Sequence, residues 1–214
     1  MESAPYVQMT QNVLSQFGVR SDDFSIVGSF PFRSPGTVQV EGDWSNAAFY
    51  LAAAKLGSRV TVDNLNTNSC QGDRAVTEIL DNKDNFPVIS AADIPDLVPI
   101  LAVYFASQQG AVFTDIRRLR LKESDRILSI TNLLHALGIK TKVDDNTLQV
   151  FAGKFSGGTV DACADHRIAM AAGIAATVAD GPVNILGAEC VSKSYPTFWQ
   201  EYMHLGGKYE QYIR

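Results

Sequence analysis

Residues 124–151, SDRILSITNLLHALGIKTKVDDNTLQVF, decide the class of fold. Ile127, Leu128, Ile130, Leu133, Leu134 and Leu137 recur with the spacing of one helical face, which predicts a helix over 124–137. Two β-branched runs follow at 139–143 and 147–151, and the polar turn Asp144-Asp145-Asn146 between them predicts a hairpin. The same alternation extends through the chain. Helical patterns near 7–17, 44–56, 73–81, 96–107, 166–179 and 196–205 alternate with strand patterns at 24–28, 37–41, 59–63, 111–116 and 182–186. The expected class is α/β, built as an α+β layer protein.

Composition sets the outer bounds. At 214 residues, 46% hydrophobic and 19% charged, the chain has apolar content for one sizeable core, or one core and a small extra piece. A net charge of −5 argues against nucleic acid or an anionic membrane as partner, since both favour a basic excess. Any cationic site must be local. Cys70, Cys163 and Cys190 are odd in number, far apart and without CxxC spacing, so no disulfide framework or zinc site is indicated and a reduced cytoplasmic setting is expected. The apolar run 168–179 is too short and too rich in Ala and Gly to span a membrane and reads as a buried helix.

Arg33-Ser34-Pro35-Gly36 is a breaker cluster, after which a strand pattern leads into Gly42-Asp43 and an Ala-rich helix. The boundary expected near Glu41 separates residues 1–40 from 41–214. The first piece, about one helix and two strands, is too small to be stable alone and needs a partner.

Three cations stand where helices begin. In Arg118-Leu119-Arg120-Leu121-Lys122 the charged and apolar residues alternate with the period of a strand, placing Arg118, Arg120 and Lys122 on one face and both leucines in the core. Glu123-Ser124-Asp125-Arg126 then puts Arg126 in the first turn of the next helix, where the helix dipole disfavours a cation by roughly 0.3 to 1 kcal/mol unless an anion compensates. In Asp165-His166-Arg167 the pattern recurs, with Asp165 as N-cap. Lys193 precedes Ser194-Tyr195-Pro196, a third expected helix start. Backbone amides and a cation at a helix start suit an anion, and three such starts suggest a small polyanionic substrate.

Asp96 falls in the first turn of the 96–107 pattern, where an acid is favourable for the dipole whether or not it has chemistry to perform. Glu123, beside Lys122 and Arg126, stays ionised and able to accept a proton. His135 and His204 lie inside helical patterns, which leaves His166 as the histidine at a helix opening. No P-loop, nucleophile elbow or metal-ligand spacing is present.

Ile94-Pro95-Asp96, the segment Arg120 to Arg126, Asp165-His166-Arg167-Ile168-Ala169-Met170 and Lys193 before Tyr195-Pro196 resemble, in order and approximate spacing, the C-terminal half of EPSP synthases. Glu41-Gly42-Asp43, and Ser3-Ala4-Pro5-Tyr6 with Met9-Thr10, are similar to that family too. The resemblance implies a fold of two lobes, each of three βαβαββ units, with the active site between them. Residues 41–214 would be the C-terminal lobe and 1–40 the tail end of the N-terminal lobe. The short strand that normally completes the lobe is missing, and the stretch between Ile79 and Ile94 is abbreviated, so the lobe is expected to be incomplete.

The implied reaction transfers the enolpyruvyl group of phosphoenolpyruvate to the 5-hydroxyl of shikimate 3-phosphate, without a cofactor or metal. By the same resemblance Asp96 binds the shikimate hydroxyls and acts as base, Lys122 stands beside it, and Glu123 takes part in proton transfer. Arg126, Arg167 and Lys193 clamp phosphoenolpyruvate with His166 nearby, and Ser3 and Tyr6 match positions at the shikimate phosphate. Arg118 stands where some members have an Asn. Glyphosate is the inhibitor implied. With one wall of the cleft only, the isolated chain is expected to be inactive. Two alternatives stay open: a UDP-N-acetylglucosamine enolpyruvyltransferase, and a noncatalytic module that binds a phosphorylated ligand.

Overall fold

The computed structural model describes residues 3–22, 25–26 and 31–212. The chain opens with α1 (Ala4–Gln16), followed by a small antiparallel pair, β1 (Ser21–Asp22) and β2 (Ser25–Ile26). Of the strand expected over 24–28, Phe24, Val27 and Gly28 lie outside the described residues. An extended stretch then leads to α2 (Trp44–Lys55), which begins where Asp43 caps it by accepting from the Ser45 amide at 2.8 Å. A 3-10 turn over Gly72–Ala75 runs into α3 (Val76–Leu80).

The next six elements form one complete βαβαββ unit: β3 (Val88–Ser90), α4 (Val98–Ala106), β4 (Ala111–Thr114), α5 (Arg126–Ala136), β5 (Thr141–Val143) and β6 (Thr147–Val150). Their sheet has the order β3-β4-β6-β5, with β3 and β4 parallel across the α4 crossover and the other pairs antiparallel. The expected hairpin is β5–β6. Ala111 and Phe113 of β4 face the core and oppose Val150 and Leu148 of β6, while Val112 and Thr114 alternate outward. A second, parallel pair joins β7 (Gly158–Asp161) to β8 (Val183–Leu186) across α6 (His166–Ala176), and α7 (Phe198–His204) follows.

All nine residues of α4 are buried, and so are most of α6. Helices apolar on every side belong inside a protein, and α4 and α6 pack on each other at the centre, with α2 and α5 against them. The lack of a side chain at Gly173 lets α7 approach α6 closely. A Cβ on Gly173 of α6 would sit 3.0 Å from the Trp199 ring of α7.

Three expectations need correction. Residues 37–41 and 59–63 are not strands. A strand needs a neighbour for its backbone hydrogen bonds, and no described strand lies beside them; Val40 is left 87% exposed. Arg117–Leu121 is a 3-10 turn rather than an alternating strand, so Leu119 is fully buried while Leu121 is 83% exposed. Two strands, β3 and β7, arise where the sequence pattern was too short to register.

Candidate active site

The turn before α4 is the meeting point. Ser3, with left-handed backbone (φ 60°), donates its amide to the Ala92 carbonyl at 2.9 Å, and the Ala4 amide donates to Asp93 Oδ1 at 3.0 Å. The start of α1 is thereby seated on residues 92–93, which aims Tyr6 at Asp96. The Tyr6 hydroxyl donates to Asp96 Oδ2 at 2.9 Å. Asp96 itself lies two residues before α4, in the turn rather than the helix, because Leu97 is the N-cap.

Asp96 collects cations from three other places. Arg126 Nη1 donates to its Oδ1 at 2.7 Å, Lys122 Nζ lies 3.4 Å from the same oxygen, and Arg167 Nη2 donates to Oδ2 at 3.1 Å. Burial pushes this carboxyl up, but Arg167, Arg126 and Lys122 together overcome it and hold the group well below the usual carboxylate range. Lys122 also stands 5.8 Å above the Tyr6 ring.

Arg126 opens α5 behind the N-cap Asp125, whose side chain accepts from the Leu128 amide. Its guanidinium is 0% exposed and fully engaged. Besides Asp96 it binds Glu123 through Nη2, Asp165 Oδ2 through Nε at 2.9 Å, and the Pro95 carbonyl through Nη1 at 3.4 Å. Burial opposes the charge, and Asp165 and Asp96 more than restore it. Asp165 is fully buried, caps α6 by accepting the Arg167 amide at 3.0 Å, and also accepts Ser124 Oγ at 3.1 Å. The loop that delivers it carries two successive left-handed non-glycine residues, Cys163 (φ 52°) and Ala164 (φ 54°). Lys122, Arg126 and Arg167 thus face Asp96, Glu123 and Asp165, and the formal charges cancel.

His166 is buried, with Nδ1 lacking a hydrogen-bond partner among the described residues; burial and the adjacent Arg167 charge lower its pKa and keep the ring neutral. Arg118 Nη1 donates to Ser3 Oγ at 3.1 Å, which ties those two expected residues to each other at the edge of the cluster. Lys193 stands apart. It is exposed, it ends the 3-10 turn Ala188–Lys193 rather than opening a helix, and it makes no hydrogen bond or ion pair with the other candidates. The expected third helix start is corrected: α7 begins only at Phe198, with Thr197 at the N-cap position but making no side-chain cap bond, because the chain from Ser194 turns before it can wind.

The sequence reading passed over Asp73, which is buried beside this cluster and accepts the Ser45 hydroxyl. Its electrostatic neighbours include Asp96 and Arg167, and burial pushes its carboxyl up to about 6. No local pattern marks it, since an acid in a short helical turn is common. Asp165 was legible as an N-cap but not as the second carboxylate of Arg126. Among the described residues no group of three or more His, Cys, Asp or Glu is placed to hold a metal ion, and no helix is long and apolar enough to cross a membrane.

Known proteins match the sequence and the fold. A family model described as EPSP synthase (3-phosphoshikimate 1-carboxyvinyltransferase) covers residues 1–202. A 3-phosphoshikimate 1-carboxyvinyltransferase of Clostridium acetobutylicum is 40% identical over 97% of this chain and 53% of its own length. That of Clostridium kluyveri is 36% identical over 99% of this chain and 55% of its own. The chain spans about half the length of these curated relatives. Among solved structures, an EPSP synthase of Acinetobacter baumannii superposes with a TM-score of 0.76 at 24% identity, over 94% of this chain and 55% of that one. The enolpyruvyl transferase NikO of Streptomyces tendae gives 0.67 at 18% identity, over 97% and 54%. At such identities the structures show a shared fold, and as in both, the present chain corresponds to about half. The family match and the curated relatives together decide the assignment: this chain belongs to the EPSP synthase family.

Proposed function

We propose that the chain supplies one wall of a cleft in which the enolpyruvyl group of phosphoenolpyruvate passes to the 5-hydroxyl of shikimate 3-phosphate with release of phosphate. The observation that carries the reading is the convergence of Tyr6, Lys122, Arg126 and Arg167 on the single carboxylate of Asp96. The two substrates bring phosphates and carboxylates, and a cation-rich site is what such ligands require.

In this reading the charge balance around Asp96 must change on binding. A carboxylate held by three cations and a tyrosine is a poor base. As the substrates' anions draw Lys122 and Arg167 away, Asp96 regains basicity where it meets the acceptor hydroxyl. Glu123 is the exposed partner of Arg126; turning it outward to carry a proton would bare Arg126 Nη2 to the phosphoenolpyruvate carboxylate. In this proposal Asp96, Lys122 and Glu123 handle the protons. Arg126, Arg167, His166 and Lys193 bind phosphoenolpyruvate, with Ser3, Tyr6 and Arg118 toward the shikimate phosphate. Residues 1–40 are proposed to belong with the complementary lobe, although α1 is seated on the 92–96 turn.

The test joins the chain to the missing half of the Clostridium acetobutylicum relative. Phosphate release is measured with phosphoenolpyruvate and either shikimate 3-phosphate or UDP-N-acetylglucosamine, with glyphosate as inhibitor. The expected result is release with shikimate 3-phosphate only, none from the isolated 214-residue chain, and a loss of at least a hundredfold in Arg167→Gln. Turnover by the isolated chain, or release with the nucleotide sugar, overturns the proposal.

A further inference from the structure

Three buried polar atoms beside Asp96 have no hydrogen-bond partner among the described residues, although they belong to groups of opposite charge: Oδ1 of Asp73, and Nε and Nη1 of Arg167. An unpaired buried donor or acceptor is destabilising, so such a set calls for a cause. Asp73 is only 3% exposed. Its other oxygen accepts the Ser45 hydroxyl of α2. Its neighbour Gly72 is wedged: a Cβ there would lie 2.7 Å from the Asp93 carbonyl oxygen and 2.9 Å from Cγ of Pro5 in α1. The carboxyl is therefore held by α2 through Ser45, and the backbone beside it is packed between α1 and the turn that carries Asp96.

Titratable and charged groups face it from those elements and from the start of α6. Arg167 at the start of α6 favours its ionised form, and Asp96 and Asp43 oppose it. Tyr6 of α1 holds its own proton more tightly, through burial first and then the charges of Asp73 and Asp96. Arg167 is the cation among these neighbours, and it uses only Nη2 of its side chain, on Asp96.

We infer that Asp73 is a positioning residue for Arg167, a second counter-ion that shares the guanidinium with Asp96. With two carboxylates to choose between, the arginine is not locked to the first. A shift toward Asp73 leaves Asp96 Oδ2 with Tyr6 alone and able to accept from another hydroxyl. That consequence rests on the proposed function; the pairing itself does not, because it concerns the protein without substrate. When Asp73 takes a proton, Arg167 returns to Asp96.

The experiment uses the 13C,15N-labelled 214-residue chain, without ligand, and follows the Asp73 carboxyl carbon, the Arg167 Nε–H pair and the His166 ring by NMR from pH 5 to 7.5. Asp73 is expected to titrate with a midpoint near 6, and Arg167 Nε–H to shift with that midpoint rather than with that of His166. In Asp73→Asn, which keeps an acceptor for Ser45, the Arg167 shift is lost. In Ser45→Ala the Arg167 shift persists but its midpoint moves up, since the hydroxyl bond favours the ionised form. An Arg167 signal that stays flat while Asp73 titrates, or that keeps its response in Asp73→Asn, overturns the inference. If Asp73→Asn does not fold, the match of midpoints in the unmodified chain decides. Because no substrate is present, absence of enolpyruvyl transfer has no bearing on the outcome.

Discussion

Arg126 and Arg167 arise from the same local pattern, an aspartate N-cap followed by an arginine at the opening of a helix, yet they end in opposite conditions. Arg126, of α5, is sealed from solvent with every nitrogen engaged by Asp96, Glu123, Asp165 or the Pro95 carbonyl. Arg167, of α6, has one side-chain bond, to Asp96, and two nitrogens without partners among the described residues. The difference lies in what each helix start faces. α5 opens onto the turn before α4 and the cap of α6, where carboxylates come from three segments. α6 opens onto Asp96, whose second oxygen accepts from one nitrogen of Arg167. One arginine is a structural keystone and the other keeps donors in reserve.

The largest expected effect tests the keystone. Arg126→Met leaves Asp165, fully buried, and Asp96 without their counter-charge, and breaking such a pair costs roughly 3 to 5 kcal/mol. Arg167→Met removes one ion pair to Asp96, which keeps Arg126 and Lys122 as counter-charges, so its cost should be smaller, roughly 1.5 to 3 kcal/mol. Urea denaturation of both variants reads the gap directly. Equal losses would erase the distinction between the two arginines.

Next in size is the pH dependence of Asp73. Folding raises this carboxyl from its ordinary 3.8 to about 6, so between those values the folded chain holds more protons than the unfolded one. Its contribution to stability is complete below pH 3.8 and is lost as pH rises through about 6. At 1.36 kcal/mol per unit the loss is roughly 2 to 3 kcal/mol. His166 acts in the opposite sense, since its lowered pKa favours the fold at higher pH. Both proteins contain it, so the difference between the parent and Asp73→Asn isolates the carboxyl. That difference should swing toward the variant between pH 4 and 7, in urea titrations at each pH. Parallel pH profiles would mean that Asp73 is not held as the structure has it.

How much of this was legible beforehand depends on the range of the forces involved. The helix over 126–136 and its hairpin follow from local periodicity and a polar turn, and the buried helices α4 and α6 from unbroken apolar runs. The unpaired stretches 37–41 and 59–63 were misread because a strand pattern states a preference, whereas a ladder requires a neighbour. The segment 118–122 has the alternation of a strand but winds as a 3-10 turn, which buries Leu119 and leaves Leu121 outside. Arg126 and Arg167 stood out because a cation at a helix start needs an explanation. Their opposite conditions did not, since they depend on Asp96 and Asp165, 30 and 39 residues from Arg126 along the chain. Asp73 was invisible for the same reason: its surroundings come from residues 6, 45, 96 and 167.

A third difference lies in how the two aspartate caps are delivered. Asp125 is reached by ordinary extended backbone, whereas Asp165 follows Cys163 and Ala164, both in the left-handed region that costs a non-glycine residue about 1 to 2 kcal/mol. Ala164→Gly should therefore raise the stability by about 1 kcal/mol, after the extra freedom glycine brings to the unfolded chain is set against the relief. A thermal unfolding scan checks it, and a drop in midpoint would show that the loop carries no strain. At the small end is Lys193→Ala, expected within about 0.5 kcal/mol of the parent because the side chain is exposed and makes no ion pair among the described residues. Under the proposed function, however, Lys193 binds phosphoenolpyruvate. Its effect should therefore be seen in ligand titrations and not in denaturation: Lys193→Ala should weaken phosphoenolpyruvate binding about tenfold in the joined protein with its stability unchanged. A variant that loses stability but not affinity would move Lys193 to the side of Arg126, as part of the frame.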